Sequence, residues 1–236
     1  NKNYDMLKNK IYIDSIPAII WGKSSEKVYI FVHGKSSCKE EAEYFAGIAE
    51  GKGYQVISFD LPEHGERKTE DYKCTIQNGI YDLNKISGYV EFNWKKKSLF
   101  CVSLGAYFSL MTYKNMDFEK CLFVSPILNM EKLIRNMMKW INVNEEELND
   151  RQEIATPFGE TLSWQYFSFV KDNPVEKWNN KTFILYGGKD NLTERQVVDD
   201  FVRKFNCELL VMNDAEHYFQ DKNHLEIYYK WMQKNI

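Results

Sequence analysis

The feature that most constrains the fold of this chain is an alternation of short, apolar, β-branched runs with longer segments of helical periodicity. Residues 28–32 (Val-Tyr-Ile-Phe-Val) are apolar throughout, which is typical of a strand buried on both faces of a parallel sheet. Further along, Ile80, Leu83 and Val90 recur at helical spacing. Strands that alternate with helices in this way build a mostly parallel sheet with helices on both faces. We therefore predict an α/β fold.

The same reading assigns the individual elements. Predicted strands cover residues 11–13, 16–21, 28–32, 54–59, 99–102, 121–124, 183–186 and 209–212. Predicted helices cover residues 37–50, 104–114, 193–205 and 220–234, with a further helix around residues 76–90 whose start is obscured by the turn signal Asn78-Gly79. Residues 37–40 and 193–196 both have the form of a capping box, in which two side chains satisfy free amides at the start of a helix.

One interval breaks this alternation. Residues 126–181 separate two predicted strands, and they are far longer than an ordinary connection. They contain helical patterns of their own, such as Leu133, Met137 and Ile141. We predict that residues 127–180 form a helical cap or lid, and that residues 1–126 and 181–236 form the core.

An apolar strand runs directly into Ser103, and a helix is predicted to follow. A serine at a sharp strand-to-helix turn holds its hydroxyl clear of the backbone, where it can act as a nucleophile. Such a turn crowds the residues two before and two after the serine, so both must be small. Gly105 meets this need, and Cys101 stands where glycine is usual. The competing interpretation is a serine that merely starts a helix.

A serine nucleophile needs a base within hydrogen-bonding reach because its hydroxyl is unreactive at neutral pH. In a strand–turn–helix site the order along the chain is serine, acid and histidine. His33 and His64 precede Ser103, and His224 falls inside the last predicted helix. His217 lies on the loop between the last strand and that helix. We therefore predict that His217 is the base.

The acid that orients such a histidine is expected at the end of the preceding strand. Gly187 and Gly188 allow a tight loop there, and Asp190 is the first carboxylate after that strand. Asp214 is too near His217 in sequence to reach the far nitrogen of its ring easily. We therefore predict that Asp190 is the third member of a catalytic triad, against the alternative of a carboxylate that only shapes the loop.

Two backbone amides are predicted to form an oxyanion hole, which stabilises negative charge on a reacting carbonyl oxygen. The amide of Lys35 follows the third predicted strand, and Gly34 permits the backbone angle that this position requires. The amide of Leu104 directly follows the predicted nucleophile. His33 is expected to stabilise this loop rather than to take part in the chemistry.

Together these segments resemble the α/β-hydrolase superfamily over nearly the whole chain. Residues 33–34 (His-Gly) resemble its oxyanion loop. Residues 60–67 (Asp-Leu-Pro-Glu-His-Gly-Glu-Arg) are similar to the loop after the fourth strand in lipase-, esterase- and aminopeptidase-like members. Ser103, Asp190 and His217 match the order of the family's triad. The resemblance implies the α/β-hydrolase fold, with an eight-stranded sheet, one antiparallel strand and a cap inserted after the sixth strand.

Composition argues against several other classes of protein. The formal net charge is −3, which disfavours a nucleic-acid binder that relies on electrostatics. The five cysteines include no C-x-x-C pair, so we predict free thiols, no metal site and, in the absence of a nucleotide-binding motif, no cofactor. No apolar stretch can span a bilayer, and residues 1–10 lack an apolar secretory core. We expect no stable membrane insertion and a cytoplasmic location, and the sequence leaves the oligomeric state open.

The chemistry that these residues predict is hydrolysis of a small-molecule carboxylic ester or thioester through an acyl-enzyme. Methionine and aromatic residues concentrate in the predicted cap and favour a small to medium apolar acyl group, although most of them are expected simply to pack the cap. Met137, Trp164 and Phe167 are the candidate substrate contacts.

Two alternatives stay open at this stage. A peptidase or amidase of the same fold would need groups that bind a peptide amino terminus, and Glu145, Glu146 and Glu147 are candidates for that role. A solvated helix face is the simpler interpretation of these three carboxylates. A ligand-binding or signalling member would keep the fold and leave the site idle, because a fold alone does not determine function.

Overall fold

The structure, a computed structural model, describes residues 5–236, so residues 1–4 of the polar N-terminal segment lie outside the described residues. The strands are β1 (Lys8–Ile13), β2 (Ile16–Trp21), β3 (Lys27–Val32), β4 (Gln55–Phe59), β5 (Lys96–Val102), β6 (Cys121–Val124), β7 (Glu153–Ala155), β8 (Thr161–Ser163), β9 (Thr182–Gly187) and β10 (Glu208–Met212). The α-helices are α1 (Glu43–Gly51), α2 (Ile76–Asn93), α3 (Leu104–Thr112), α4 (Met130–Trp140), α5 (Glu145–Arg151), α6 (Trp164–Asp172), α7 (Arg195–Phe205) and α8 (Lys222–Asn235). Within residues 5–236, no helix combines the length and the apolar composition needed to cross a bilayer.

One large sheet organises the molecule, with strand order β1-β2-β4-β3-β5-β6-β9-β10. Strand β2 is antiparallel to both of its neighbours, and the pairs from β4 to β10 are parallel. The predicted eight-stranded, mostly parallel sheet with one antiparallel strand is therefore confirmed. Because β3, β5, β6 and β9 run in the same direction, their carboxyl ends meet at one edge, where open α/β sheets bind their ligands.

Helices cover both faces of this sheet and form two apolar layers. Strand β5 contributes to both, because successive side chains point to opposite faces. Leu99 and Cys101 belong to the layer that packs against α2, α3 and α7, and Phe100 belongs to the layer that packs against α1 and α8. The Phe100 ring stacks on Phe31 of β3 with ring centroids 5.1 Å apart. Burying a side chain of this size contributes about 2 kcal/mol, so the central strands are firmly held.

The first predicted capping box is wrong. The Ser37 hydroxyl donates to the carboxylate of Glu41 and caps no helix amide. The amide of Lys39 donates instead to the carboxylate of Asp60, at 2.8 Å, which ties this segment to the loop after β4. The chain consequently makes a short 3-10 helix over Lys39–Ala42, and α1 begins only at Glu43.

The second predicted capping box is also wrong, for a related reason. The Thr193 hydroxyl donates to the carbonyl of Pro126, at 2.8 Å, and α7 begins two residues later without a side-chain cap. By contrast, Asn78-Gly79 lies inside α2, which Thr75 caps by accepting from the Asn78 amide at 3.1 Å. A Cβ at Gly79 would lie 3.1 Å from the Phe108 ring, so this glycine serves the close packing of α2 on α3.

The chain between β6 and β9 forms α4, α5, a hairpin of β7 and β8, and α6. Helices α4 and α6 pack against each other, and the buried Leu133, Met138 and Phe167 join the apolar layer that also contains α2 and α3. The hairpin was not predicted, because strands of three residues are too short to show an alternation of apolar and polar side chains. We refer to residues 127–180 below as the insertion.

Candidate active site

Strand β5 ends in a strained turn at Ser103, whose backbone has φ 50° and ψ −113°. Such a conformation costs a non-glycine residue on the order of 1–3 kcal/mol, and it persists only where neighbouring structure enforces it. The Ser103 amide donates to the carbonyl of Val124 at 3.0 Å, and the Ser103 carbonyl accepts from the amide of Ile127 at 3.1 Å. The turn is therefore held from the side of β6, and α3 begins at the next residue.

Residues 101 and 105 flank this turn, and a different neighbouring element limits the space at each of them. A Cβ at Gly105 would lie 2.3 Å from the carbonyl oxygen of Val32, so it is the end of β3 that excludes a side chain there. Cys101 is completely buried and its Sγ lies 3.2 Å from the hydroxyl of Ser109 in α3. Burial raises the pKa of the Cys101 thiol, which keeps it protonated. The side chain of Cys101 thus packs against α3, whereas the space at Gly105 is limited by the end of β3.

The three side chains predicted as a triad lie in one chain of hydrogen bonds. Ser103 Oγ is 2.9 Å from His217 Nε2, and His217 Nδ1 is 2.7 Å from Asp190 Oδ2. An ionised carboxylate only accepts, so the proton of the neutral ring resides on Nδ1. Nε2 is then free to accept the Ser103 hydroxyl proton. Ser103 and His217 are only 6% and 5% exposed, so this contact is largely shielded from solvent.

Asp190 is held by its own loop. Its second oxygen, Oδ1, accepts from the amides of Leu192 at 2.8 Å and Thr193 at 2.9 Å. The carboxylate is fully buried, and these amides replace the water it loses. Asp190 therefore shapes its loop and contacts His217 at the same time, so the two interpretations of its role are compatible.

Gly187 and Gly188 bring the loop of Asp190 against the loop of His217. A Cβ at Gly187 would lie 2.4 Å from the carbonyl oxygen of Glu216, and one at Gly188 would lie 2.5 Å from that of Asn213. No side chain fits at either distance, so two backbones meet here directly. This close approach is the physical reason for the glycine pair, which the sequence analysis had attributed to a tight turn.

The loop after β3 passes beside Ser103. A Cβ at Gly34 would lie 3.2 Å from the Ser103 Cβ. Within residues 5–236, the amides of Lys35 and Leu104 donate to no carbonyl or side chain outside the regular helices and strands. Two amides beside a serine hydroxyl, both available to donate, can stabilise an oxyanion that forms on a carbonyl attacked by that serine.

His33 sets the direction of one of these amides. It is fully buried, its Nε2 accepts from the amide of Leu61 at 3.0 Å, and its Nδ1 donates to the carbonyl of Gly34 at 2.7 Å. That carbonyl and the Lys35 amide belong to one planar peptide group, so fixing the carbonyl also fixes the N–H. Burial lowers the pKa of His33 to about 4, which keeps the ring neutral at pH 7.

Residues 60–67 brace the same loop. His64 Nε2 accepts from the amide of Ser36 at 3.0 Å, and its Nδ1 donates to the carbonyl of Pro62 at 2.8 Å. The buried Asp60 carboxylate accepts from both the amide and the ammonium of Lys39 at 2.8 Å. The segment that resembles the family's loop after the fourth strand therefore supports the predicted oxyanion hole through hydrogen bonds.

The insertion contacts the loop after β3 at a point that the sequence does not predict. Glu160, in the hairpin turn between β7 and β8, forms an ion pair with Lys35 of the predicted oxyanion loop. Tyr166 of α6 packs against the apolar layer that contains α3, and burial raises its pKa well above the ordinary value. Outside the insertion, Tyr218 packs its ring edge-on against His217, with ring centroids 4.9 Å apart.

The three candidate substrate contacts have other partners in this structure. Phe167 is completely buried, with Arg135 and Lys171 over its ring at 5.0 and 5.5 Å. Trp164 lies beside Phe167, with ring centroids 5.9 Å apart. Met137 is buried in α4 and belongs to the apolar layer shared with the core. These side chains pack the insertion, and contact with a substrate stays a prediction for all three.

The acidic run 145–147 forms the first turn of α5. Glu145 pairs with Arg135 at 3.1 Å and with Lys171 at 3.6 Å. The run therefore contributes to a cluster of ion pairs within the insertion, as expected for a solvated helix face.

No group of three or more His, Cys, Asp or Glu side chains in the described part of the chain is arranged to hold a metal ion. A cavity of about 460 Å³ lies away from this site, at the sheet edge formed by β1 and the end of α2. Its lining includes Leu7, Ile20, Gln55 and Trp94 and none of the site residues described in this subsection.

In sequence, the chain matches no family model and no curated protein. Solved structures match it over almost its whole length. Est1E from Butyrivibrio proteoclasticus, in its complex with ferulic acid, gives a TM-score of 0.75 at 16% identity and covers 96% of each chain. The Pyrococcus furiosus esterase Pf2001 gives 0.66 at 19% identity, over 98% of this chain and 89% of that one. Mouse alpha/beta hydrolase domain-containing protein 10 gives 0.73 at 13% identity, over 98% of both.

These likenesses, together with the strand order, establish that the chain has the α/β-hydrolase fold. The resemblance drawn from the sequence is thereby confirmed at the level of the fold. Identities below one fifth leave substrate and reaction to be argued from the site itself.

Burial of His33 predicts a specific pH dependence of stability. In the unfolded chain the ring binds a proton below about pH 6.5, whereas in the folded protein it does so only near pH 4. The free energy of unfolding should therefore fall by about 3 kcal/mol across this window because of His33 alone. Urea unfolding at pH 7 and pH 4 should show the stability gap between wild type and His33→Asn shrinking by that amount. A gap independent of pH would contradict the assignment.

The packing of Cys101 predicts which substitutions the turn tolerates. Cys101→Ala should keep the turn, because the position requires only a small volume. Cys101→Leu should overpack the contact with α3 and cost about 1–3 kcal/mol or more in the free energy of unfolding. Denaturant unfolding measures both, and Cys207→Leu, at a half-buried position outside the turn, is the matched control. A Cys101→Leu protein as stable as wild type would show that the turn is not crowded.

Proposed function

We propose that this protein is a serine hydrolase that cleaves a carboxylic ester or thioester of a small to medium apolar acyl group. The observation that carries this proposal is the unbroken chain of hydrogen bonds from Asp190 through His217 to Ser103. It lies at the carboxyl ends of parallel strands, beside two amides that are available to donate. A buried serine with its base and the orienter of that base already in contact is suited to nucleophilic catalysis.

In the first half of the proposed reaction, Ser103 Oγ attacks the substrate carbonyl carbon while His217 Nε2 takes the hydroxyl proton. Asp190 keeps the His217 proton on Nδ1 and stabilises the imidazolium that forms. The amides of Lys35 and Leu104 donate to the oxyanion of the tetrahedral intermediate. His217 then protonates the leaving alcohol or thiol, and the acyl group remains as an ester of Ser103.

In the second half, water enters the site vacated by the leaving group. His217 removes a proton from this water, which attacks the acyl carbon. The same two amides stabilise the second oxyanion. Collapse of the intermediate returns the proton to Ser103 and releases the carboxylic acid, so the enzyme regains its starting state.

The similar structures support hydrolysis of an ester, since Pf2001 is named as an esterase. Ferulic acid, which is bound to Est1E, is an aromatic carboxylic acid. An aromatic acyl group falls within the apolar class proposed here and belongs in any substrate panel. The five free thiols fit a reducing compartment and favour a cytoplasmic location.

The two alternatives have less support. A peptidase needs carboxylates free to bind an amino terminus, whereas Glu145 is engaged by Arg135 and Lys171. Within residues 5–236, Glu147 pairs with Arg151, which leaves Glu146 alone of the three for that role. A ligand-binding member with an idle site does not need a serine, histidine and carboxylate at hydrogen-bonding distances. Labelling by a fluorophosphonate distinguishes the second alternative, because only an activated serine reacts with it.

The proposal extends to the insertion, which we assign as a lid over the site. It begins three residues after the end of β6. Val124, the last residue of β6, and Ile127, the first residue of the insertion, each form a backbone hydrogen bond with Ser103. Its hairpin is joined to the oxyanion loop by the pair of Glu160 and Lys35. We place the hairpin turn over the site. Opening of the pair releases this turn, while the buried Leu133 and Phe167 keep the rest of the insertion packed on the core.

Substitution of the proposed triad tests the function directly. Ser103→Ala and His217→Ala should each lower kcat for a p-nitrophenyl ester by about 10⁴-fold or more, because triad residues act as a unit. Asp190→Asn should cost less but still be severe, since it disturbs the tautomer of His217. Asp214→Asn is the matched control, because Asp214 is exposed and pairs with His224. Substantial turnover by Ser103→Ala would remove the proposed nucleophile.

The lid assignment predicts a dependence on acyl length. Each buried methylene contributes about 0.8 kcal/mol, so side chains of the lid that contact the acyl group should matter more for longer substrates. Trp164→Ala and Phe167→Ala should lower kcat/KM for a medium-chain ester more than for the acetate. Trp140→Ala, at an exposed aromatic residue of the same insertion, is the control. Equal losses on both esters, in variants folded by circular dichroism, would mean that these residues only pack the lid.

A further inference from the structure

The end of β6 contacts the segments that carry all three residues of the proposed triad. Two backbone hydrogen bonds already described join Val124 and Ile127 to Ser103. Between them lie Ser125 and Pro126, neither of which the sequence analysis singled out. Ser125 contacts His217, and Pro126 contacts the loop that carries Asp190.

The first set of contacts reaches the acid. The carbonyl of Pro126 accepts from the hydroxyl of Thr193 at 2.8 Å, and the amide of Thr193 donates to Asp190 Oδ1 at 2.9 Å. The amide of Ser125 donates to the carbonyl of Leu185 in β9, the strand that leads to Asp190, at 2.9 Å. The loop of the acid is therefore fastened to the end of β6.

The second contact reaches the base. The Ser125 hydroxyl donates to the backbone carbonyl of His217 at 2.8 Å, and Ser125 is almost completely buried. Its φ is 45°, which is uncommon for serine and persists only where the surroundings enforce it. The strained backbone and the buried hydroxyl of Ser125 thus together hold the backbone carbonyl of His217.

From these contacts we infer that Ser125 is a positioning residue of the proposed hydrolytic site and acts through His217. The imidazole must meet Asp190 at 2.7 Å and Ser103 at 2.9 Å simultaneously. A displacement of about 1 Å breaks such an arrangement and costs about 100-fold in rate. The Ser125 hydroxyl ties the His217 backbone to β6, the strand that also supports the Ser103 turn. The inference rests on the proposed function, because it concerns the same reaction.

The test uses two substitutions that both remove the hydroxyl. Ser125→Gly also relieves the backbone strain, because glycine suits a positive φ, whereas Ser125→Ala keeps it. Ser125→Gly should therefore fold at least as well as Ser125→Ala. Both should lower kcat for a p-nitrophenyl ester by about 10- to 100-fold while KM stays close to wild type. Asn206→Gly relieves a similar φ of 52° at the end of α7 and should leave kcat unchanged.

A purely structural role is distinguished by repeating Ser125→Gly in the His217→Ala background. A residue that acts through His217 should have less than about a 2-fold effect once the imidazole is gone. The same loss in both backgrounds would overturn the inference, as would unchanged kcat in a folded Ser125→Gly protein. Failure of both Ser125 variants to fold would also overturn it, because removal of a hydroxyl that only positions His217 should leave the protein folded. Activity retained by Ser103→Ala would instead overturn the proposed function.

Discussion

The contact between Gly105 and the end of β3 is the constraint on which the arrangement of the site depends. It allows α3 to begin so close to the sheet that a side chain at residue 105 would overlap the carbonyl of Val32. The turn before it is consequently compressed, and Ser103 takes a backbone conformation that an isolated serine avoids. Backbone hydrogen bonds from the end of β6 then fix this turn from the other side. The proposed nucleophile is therefore positioned by the two strands that flank β5.

Hydrogen bonds between buried polar groups hold the loops around this turn. Asp60 is buried without access to water, yet it accepts three hydrogen bonds from Lys39 and Glu66. His33 and His64 each use both ring nitrogens on backbone groups. Such networks are rigid because every broken contact would leave a buried group unsatisfied. They hold the loop after β3 in one orientation.

Much of this organisation could be predicted from the sequence. The eight strands of the sheet follow from apolar periodicity, and the serine, histidine and carboxylate follow from their positions at strand ends. What escaped prediction depends on contacts between residues distant in sequence. Ser37 and Thr193 have the local pattern of helix caps, but Asp60 and Pro126 compete for these segments in the folded chain. Ser125 carries no local signal, because its partner His217 is 92 residues away.

The ion pair of Lys35 and Glu160 joins two side chains that are both open to solvent. A pair of this kind stabilises a contact by about 0–1 kcal/mol and is weakened by salt. Such a small free energy biases two conformations by no more than about 5-fold. The pair is therefore a weak latch between the hairpin turn and the loop after β3, whereas the strands of the hairpin are anchored by the buried Ile154 and Leu162. Contact between the hairpin turn and the loop after β3 is then an equilibrium between two states of similar free energy, and its balance follows the ionic strength of the surroundings.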